Sequence, residues 1–332
     1  MKPDIESITN IIRVKVPEPI PTIKELFEMV TVSDQGAMEL FVRANKLRRR
    51  YKGSGVFTCG ILNAKSGRCS ENCVFCAQSA HYETKIDVYP LMTKKQIVKK
   101  AKELAHSGAL RFSIVTSGFQ PTRAELNTIF EAVAAISSKT DLEVCASLGI
   151  LTEEAAQSLY QSGVSNYHHN LETARSHFNQ ICTTHSYDDD INTLIIAKKA
   201  GLRVCSGGIM GLGESWSQRI EMAFTLKELD VDSIPINFLN PIAGTPLEQR
   251  SLISPMTALK CIALFRIANP KKDIVVCGGR EVTLKDFQSW VFLAGASGLM
   301  VGNYLTTCGR SIETDMEMIT QQGLKNRLPE VL

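Results

Sequence analysis

Cys69, Cys73 and Cys76 occur close together, in the segment Cys69-Ser-Glu-Asn-Cys73-Val-Phe-Cys76. Three thiolates at this spacing can bind three corners of a [4Fe-4S] cube, whereas a structural cluster normally has a fourth cysteine close in sequence. The fourth iron would then lack a protein ligand and be open to chemistry. A structural zinc site usually takes four ligands in paired C-x2-C groups, and no matching second pair lies nearby. The spacing therefore predicts an open iron–sulfur cluster, with a zinc site and metal-free thiols as the alternatives.

Three further cysteines share one context, since each ends a strand-like run: Leu-Glu-Val-Cys145, Leu-Arg-Val-Cys205 and Asp-Ile-Val-Val-Cys277. A single buried cysteine usually behaves as a small hydrophobic residue. Three at equivalent strand positions would meet if their strands face one opening, and we expect them to form a second metal site. Four other cysteines lack this context: Cys59, Cys182, Cys261 and Cys308. Cys261 falls on a helix face and is assigned to the core, while Cys182 and Cys308 remain alternatives as extra ligands.

The composition is that of a globular protein without a nucleic-acid or membrane partner. The chain has 332 residues, 44% of them hydrophobic, and a net charge of +3 from 37 basic and 34 acidic residues. A nucleic-acid-binding protein would show a basic stripe or cluster. The N-terminus has no apolar run typical of a secretory signal, and the chain has no apolar stretch of about 20 residues. Ten cysteines in so long a chain indicate metal or redox chemistry in a reducing cytoplasm rather than a disulfide framework.

Short β-rich runs alternate with amphipathic helical patterns along most of the chain. The strand candidates are residues 56–62, 111–116, 142–148, 164–169, 202–206, 233–239, 273–277 and 298–302. Between them, for example, Ile97, Ala101 and Leu104 form a helical stripe, and Thr122 with Glu125 forms a capping-box pattern. Eight such units predict an α/β fold, a (β/α)8 TIM-type barrel, with an open doubly wound sheet as the alternative.

The predicted organisation has three parts. Residues 1–52 form an N-terminal helical extension, residues 53–325 the barrel, and residues 326–332 a C-terminal tail. Chemistry in such barrels gathers at the C-terminal ends of the strands, and the cysteine loop follows the first strand. Other strand ends also carry polar side chains suited to binding: Asn170, Glu172, Asn237, Thr306 and Thr307.

The Cys-x3-Cys-x2-Cys pattern, with Phe75 before its last cysteine, resembles the radical S-adenosylmethionine (SAM) enzymes. In that superfamily SAM chelates the open iron, and one electron from the cluster cleaves it to a 5′-deoxyadenosyl radical. From about residue 40 to residue 325 the sequence resembles the biotin synthases more specifically. The segments that carry this resemblance are Asn63-Ala-Lys-Ser-Gly-Arg-Cys69-Ser-Glu-Asn-Cys73, Arg203-Val-Cys205-Ser-Gly-Gly-Ile, Ile234-Pro-Ile-Asn237-Phe-Leu-Asn-Pro-Ile, Gly278-Gly-Arg-Glu281 and Leu305-Thr-Thr307.

The resemblance implies sulfur insertion into dethiobiotin, with SAM as the radical source and an auxiliary iron–sulfur cluster as the sulfur source. It also implies a flavodoxin- or ferredoxin-type electron donor and a cytoplasmic homodimer. The residues that it assigns to SAM are Phe75, Asn170, Glu172, Gly208 and Met210. The residues that it assigns to the substrate are Asn237 at the ureido ring, Thr306 and Thr307 at the valeryl carboxylate, and His168, where the family usually has an asparagine.

The departures from the family pattern concern the auxiliary cluster, which usually takes three cysteines and an arginine. Ser113 and Val275 stand where one cysteine and the arginine are expected, and Cys145 and Cys205 are retained. Cys277 lies two residues beyond Val275, so its side chain points to the same face of the strand. We therefore expect Cys145, Cys205 and Cys277 to hold a [4Fe-4S]-like cluster with an extra sulfide on an iron without a protein ligand. A [2Fe-2S] cluster is the alternative.

Asp190 stands where the family has an arginine that pairs with the SAM carboxylate. Either another basic residue replaces that arginine, with Arg111 as the candidate, or SAM binds differently.

Two other functions are compatible with parts of the pattern. One is a biotin-synthase-like radical SAM enzyme that inserts no sulfur, such as a cofactor-maturation lyase or a mutase. The other is a non-catalytic iron–sulfur electron carrier or scaffold. About eight irons per chain would favour two clusters, and about four would favour the first of these rivals.

Overall fold

A computed structural model describes residues 20–328 of the protein. The strands are β1 (Gly55–Lys65), β2 (Arg111–Thr116), β3 (Glu143–Ser147), β4 (Asn166–His168), β5 (Arg203–Cys205), β6 (Gly208–Met210), β7 (Ser233–Phe238), β8 (Asp273–Val276), β9 (Gly298–Met300) and β10 (Lys325–Asn326). The helices are α1 (Ile23–Val30), α2 (Ala37–Lys52), α3 (Lys94–His106), α4 (Arg123–Ser137), α5 (Glu153–Ser162), α6 (Arg175–Phe178), α7 (Tyr187–Lys199), α8 (Trp216–Glu228), α9 (Pro255–Ala268), α10 (Arg280–Leu284), α11 (Trp290–Leu293) and α12 (Ile312–Gln321).

Eight parallel strands close into a barrel. The order is β1-β2-β3-β4-β5-β7-β8-β9, and β9 pairs back onto β1 through Phe57 and Gly298. This closure confirms the predicted (β/α)8 TIM-type fold and rules out the open doubly wound sheet. All eight predicted strands are present, and two further strands, β6 and β10, were not predicted. They contain three and two residues, which is too short to give a periodic pattern.

The helices surround the barrel, and local sequence signals fix where several of them begin. Thr93 and Thr122, for example, complete capping boxes at the starts of α3 and α4. The helix α9 is buried along Ala258–Ala268, because α2 packs on its outer side. Residues 1–19 of the predicted N-terminal extension lie outside the described residues, and within the rest of it the structure has α1 and α2.

The predicted C-terminal tail begins inside β10, where Asn326 pairs with Val56 of β1. Residues 329–332 of this tail lie outside the described part, so the division of the chain into three parts stays a prediction. Within residues 20–328, no helix is both long and apolar enough to cross a lipid bilayer.

Arg280 and Asp315 form an ion pair between α10 and α12, with both side chains fully buried. Removing one partner of such a pair leaves an unpaired buried charge, which costs about 3–5 kcal/mol. We expect Arg280→Met to lower the thermal unfolding midpoint, followed by circular dichroism, by about 5–10 °C. Arg310→Met is the matched control, because Arg310 is partly exposed and lies 3.7 Å from the same carboxylate. Equal midpoints for the two variants would contradict this assignment.

Candidate active site

One cavity of about 440 Å³ occupies the C-terminal end of the barrel, and both predicted sets of cysteines line it. Cys69, Cys73 and Cys76 come from the loop after β1, and Cys145, Cys205 and Cys277 come from the strands or their ends. A cavity of this size is typical of a small-molecule site. The lining is mainly apolar, with polar groups at a few positions, as expected of a site that excludes water from its substrate.

The cysteine loop is held by its own backbone. Gly67 and Arg68 both have positive φ, at 78° and 53°, which turns the chain out of β1. The Cys69 amide donates to the Gln78 carbonyl at 2.9 Å, and the Ala80 amide donates to the Cys69 carbonyl at 2.8 Å. These bonds fix the shape of the loop.

The spacing of the loop thiols decides between a single metal ion and a cluster. Among residues 20–328, the only group of three metal-binding side chains whose ligand atoms lie within 4.8 Å of one another is Glu71, Cys182 and His185. The thiols of Cys69, Cys73 and Cys76 form no disulfides and do not all lie within 4.8 Å of one another, which is wider than one ion favours. They fit an iron–sulfur cluster, in which each thiolate binds a different iron.

The strand cysteines face the inside of the barrel. Cys145 lies on β3 opposite Ser113 of β2, Cys205 ends β5, and Cys277 follows β8. Burial raises the pKa of Cys145 to about 11 and that of Cys205 to about 12. Neutral thiols in this position need a nearby positive charge, such as bound iron, to become ligands. The Ser113 hydroxyl is buried without a hydrogen-bond partner, which also fits a cavity meant to be filled.

Cys59 lines the same cavity, although the sequence analysis separated it from the strand-end cysteines. Burial raises its pKa well above the usual value, and the neighbouring thiols Cys145 and Cys277 raise it further. The signal in the sequence was the alternation Phe57, Cys59, Ile61 along β1, since side chains two residues apart share a face.

Arg111 provides a positive charge beside the strand cysteines. Its Nε donates to Glu143 Oε2 at 2.6 Å, and its guanidinium lies 4.2 Å from the centre of the Phe57 ring. Although burial opposes the charged form, the thiols of Cys145 and Cys59 and the Glu143 carboxylate keep the pKa of Arg111 above its usual value. Arg111 is therefore engaged beside the auxiliary thiols, which does not support the suggestion that it pairs with the SAM carboxylate.

Asp190 is part of a network of charged side chains beside the cysteine loop. His169 Nε2 lies 2.7 Å from Asp190 Oδ1, and His185 Nε2 lies 3.4 Å from the same oxygen. The other ring nitrogen of His185 lies 2.6 Å from Glu71 Oε2. Burial opposes protonation of His185, but its bonds to Asp190, Cys182 and Glu71 raise its pKa to about 11. The network thus ties Glu71 of the cysteine loop to α7.

We expect His185→Ala to speed the loss of loop-bound iron to a chelator by about 10–100-fold, the usual effect of losing an outer partner of a metal site. The measurement is the iron remaining per chain over time, with absorbance at the cluster band. His81→Ala is the control, because His81 also bonds the loop, at the Ser70 carbonyl, but is exposed. Equal rates of iron loss in the two variants would show that the tie through His185 does not hold the loop.

Most of the residues predicted to bind SAM or substrate line the cavity, namely Phe75, His168, Asn170, Glu172, Asn237, Thr306 and Thr307. The Asn170 amide donates to both oxygens of Glu172 at 3.3 Å. Burial raises the pKa of Glu172 to about 8. His168 Nδ1 lies 3.4 Å from Cys205 Sγ, and burial lowers the pKa of this histidine to about 4, so the ring is neutral.

Gly208 and Met210 do not line the cavity, in contrast to the prediction that both bind the cofactor. They alternate with Ile209, which does line it, because side chains alternate across β6. Met210 is buried in the core. Gly208 has a different role: a Cβ there would lie 2.2 Å from the Glu172 carbonyl oxygen, so glycine lets the backbone of Glu172 approach.

Two known domain families match the chain. Residues 64–226 match the Radical SAM superfamily, and residues 235–325 match the Biotin and Thiamin Synthesis associated domain. Biotin synthase from Syntrophus aciditrophicus (strain SB) is 54% identical over 323 residues, which cover 96% of this chain and 99% of that protein. Biotin synthase from Geotalea daltonii (strain DSM 22248 / JCM 15807 / FRC-32) is 52% identical over 303 residues, covering 91% of this chain and 92% of that protein.

Solved structures support the fold. Methylornithine synthase superposes with a TM-score of 0.83 at 22% identity, covering 94% of this chain and 95% of that one. The FeFe-hydrogenase maturase HydG from Carboxydothermus hydrogenoformans gives 0.78 at 19% identity, covering 96% of this chain and 79% of that one. At these identities the likeness concerns the barrel alone. With the two domain matches and relatives above half identity over almost its whole length, the chain belongs to the biotin synthase family of radical SAM enzymes.

Proposed function

We propose that this protein converts dethiobiotin to biotin by SAM-dependent insertion of one sulfur atom. The observation that carries the proposal is the presence of two separate sets of thiols in one cavity, in a member of the biotin synthase family. A radical SAM enzyme that inserts no sulfur needs no second cluster as a sulfur source. Family membership implies a [4Fe-4S] cluster with SAM, and the nature of the second cluster is part of the proposal.

Cys69, Cys73 and Cys76 would hold the first cluster, since their thiols are free, separated and anchored by the loop backbone. When bound, this cluster supplies the electron that cleaves SAM to methionine and a 5′-deoxyadenosyl radical, which takes hydrogen from the substrate. The protein's contribution is to hold SAM and substrate close together and away from water, because radical abstraction requires near contact. Phe75 supplies an apolar wall beside the loop.

Cys145, Cys205 and Cys277 would hold the second cluster, [4Fe-4S]-like, with one iron that these three thiols leave without a protein ligand. That iron would carry the sulfide to be inserted. Two C–H bonds of dethiobiotin would be broken, each hydrogen passing to a 5′-deoxyadenosyl group, and two C–S bonds would be formed. The irons of this cluster would take up one electron for each C–S bond. Arg111, between Cys59 and Cys145, offsets the negative charge of the thiolates.

The remaining cavity residues would position the two organic molecules. Asn170 and Glu172 would bind the ribose hydroxyls of SAM. Asn237 would meet the ureido ring, and its amide is oriented because its Oδ1 accepts from the Gly278 amide at 3.0 Å. Thr306 and Thr307, after β9, would hold the valeryl carboxylate through hydroxyl and amide donors. His168 would lie between the substrate and the Cys205 thiol.

The proposal includes a flavodoxin- or ferredoxin-type electron donor and a homodimer in the cytoplasm. These features are supported by membership of the family. They do not affect which residues perform the chemistry.

The test is to incubate anaerobically reconstituted protein with SAM, a reductant and dethiobiotin, and to measure biotin and 5′-deoxyadenosine by mass spectrometry. Formation of both supports the proposal. Formation of 5′-deoxyadenosine without biotin would overturn sulfur insertion and favour the lyase or mutase. Formation of neither, with a cluster that is reversibly reduced, would favour an electron carrier.

A further inference from the structure

The pairing of the strands gives the height of each inward-facing residue in the barrel. Four inward-facing residues, Cys59, Cys145, Cys205 and Val275, lie on alternate strands. The pairing of each residue can be followed across the intervening strand to the next alternate strand. The residue reached there lies two positions before the next inward-facing residue. These pairings run from Cys59 to Glu143, from Cys145 to Arg203, from Cys205 to Asp273 and from Val275 to Phe57. Around the closed barrel the four offsets of two residues add up to eight, which is the shear number of a TIM barrel. Residues related by these offsets therefore lie at one level, that is, at the same height along the barrel axis.

Cys59, Cys145 and Cys205 therefore lie at one level, on three alternate strands, and Val275 takes the fourth position of that level. Cys277 lies two residues beyond Val275, which raises it by about 6.6 Å along the strand direction. A flat ring of four thiols would not suit a cubic cluster, whose four irons form a tetrahedron. Three thiols at one level with a fourth raised above them give the non-planar arrangement that such a cluster requires.

The surroundings of Cys59 differ from those of an ordinary core cysteine. Its side chain is partly exposed to the cavity, and its electrostatic neighbours are Cys145, Cys277, Cys205 and Arg111. Its thiol has only a long contact, 3.9 Å, with the carbonyl of the next residue. Cys261, in contrast, is fully buried in α9 as part of the hydrophobic core and does not line the cavity.

We propose that Cys59 is the fourth thiolate ligand of the auxiliary cluster, bound to the iron that Cys145, Cys205 and Cys277 leave open when no extra sulfide occupies it. This inference rests on the proposed second cluster and extends its set of ligands. When the sulfide has left, the Cys59 thiol would release its proton to solvent through the cavity and bind the iron as a thiolate, and no electron would be transferred in this exchange. The sulfur-depleted cluster is thereby held by four protein ligands instead of three, which protects it from losing iron.

The test uses a full-length parent in which Cys69, Cys73 and Cys76 are replaced by alanine, so that no iron–sulfur cluster can form at the loop. The parent is reconstituted with equal amounts of iron and sulfide, which leaves no extra sulfide, and is then oxidised mildly with ferricyanide. An iron without a protein ligand is lost first and leaves a [3Fe-4S] cluster with a characteristic electron paramagnetic resonance signal. We expect Cys59→Ala in this parent to give a signal several-fold larger, with a matching loss of iron.

Cys261→Ala in the same parent is the control, because it removes a buried thiol far from the cavity lining, and it should leave the signal unchanged. To check folding, the circular dichroism spectrum and the thermal unfolding midpoint of Cys59→Ala are compared with those of the parent and should match them. Equal signals in the parent and in Cys59→Ala would overturn the ligand role while leaving the proposed function intact. A similar increase in both alanine variants would indicate general destabilisation and would also overturn it. A parent that binds no iron would refute the auxiliary cluster and this inference together.

Discussion

Replacing Cys73 with alanine should abolish cleavage of SAM, and with it all formation of biotin. The loss should exceed the about 100-fold cost of removing an outer partner of a metal site, because a direct ligand is removed. Cys69→Ala and Cys76→Ala should behave alike, since each thiol is expected to bind a different iron. The measurement is the yield of 5′-deoxyadenosine and methionine after anaerobic incubation with SAM and a reductant, together with the iron content per chain.

Cys308→Ala is the control for this experiment, because Cys308 is exposed and does not line the cavity. It should retain parental yields. Substantial 5′-deoxyadenosine from the Cys73 variant would mean that the loop does not hold the SAM-cleaving cluster, whatever the family resemblance.

Replacing Cys277 with alanine should separate the two halves of the reaction. The loop cysteines are untouched, so SAM is still cleaved, but biotin formation should fall by more than about 100-fold because the auxiliary cluster loses a ligand. Iron per chain should decrease by up to about four while the loop cluster remains. The measurement is the ratio of biotin to 5′-deoxyadenosine in one sample, which does not depend on how much active protein is present.

Cys261→Ala serves as the matched control for Cys277→Ala, since both residues are buried but only Cys277 lines the cavity. An unchanged ratio and an unchanged iron content in the Cys277 variant would show that Cys277 does not hold a cluster together with Cys145 and Cys205. The second site would then be either held by other residues or absent.

The sequence was sufficient to predict the barrel because the eight strands repeat a strong local pattern. Most of these strands are rich in apolar residues, and several are followed by a helix with a clear start, such as Thr122 before α4. Closure into a barrel follows from the number of units and their parallel connection. The short strands β6 and β10 form only because neighbouring strands offer pairing partners, which no local pattern reveals.

A side chain's place in the site could be predicted where the local sequence alone determines it, and could not where it depends on how the strands pair. The loop cysteines are linked by their spacing alone, and they open to one cavity as expected. Cys59 was missed because only cysteines at strand ends were compared, whereas its place in the cavity depends on the register between β1 and its neighbours. Met210 lies in the core rather than in the cavity lining because a separate short strand, β6, turns its side chain away from the cavity.

The contact between Asp190 and His185 could not be read from the sequence for another reason. The two residues are separated by the start of α7, and their distance depends on where the capping residue Ser186 begins the helix. Asp190, which stands where the family has an arginine, pairs with His169 and His185. Nothing in the structure identifies a replacement for that arginine.

Both sets of cysteines share one cavity, and this limits how a used auxiliary cluster could be rebuilt. Cys145 and Cys277 are nearly inaccessible except through this cavity, which SAM and dethiobiotin would also enter. Any donor of iron or sulfide must therefore use the entrance that the substrates use. Substrate turnover would have to alternate with the rebuilding of an auxiliary cluster whose sulfide has been used. An excess of substrate would therefore delay the rebuilding.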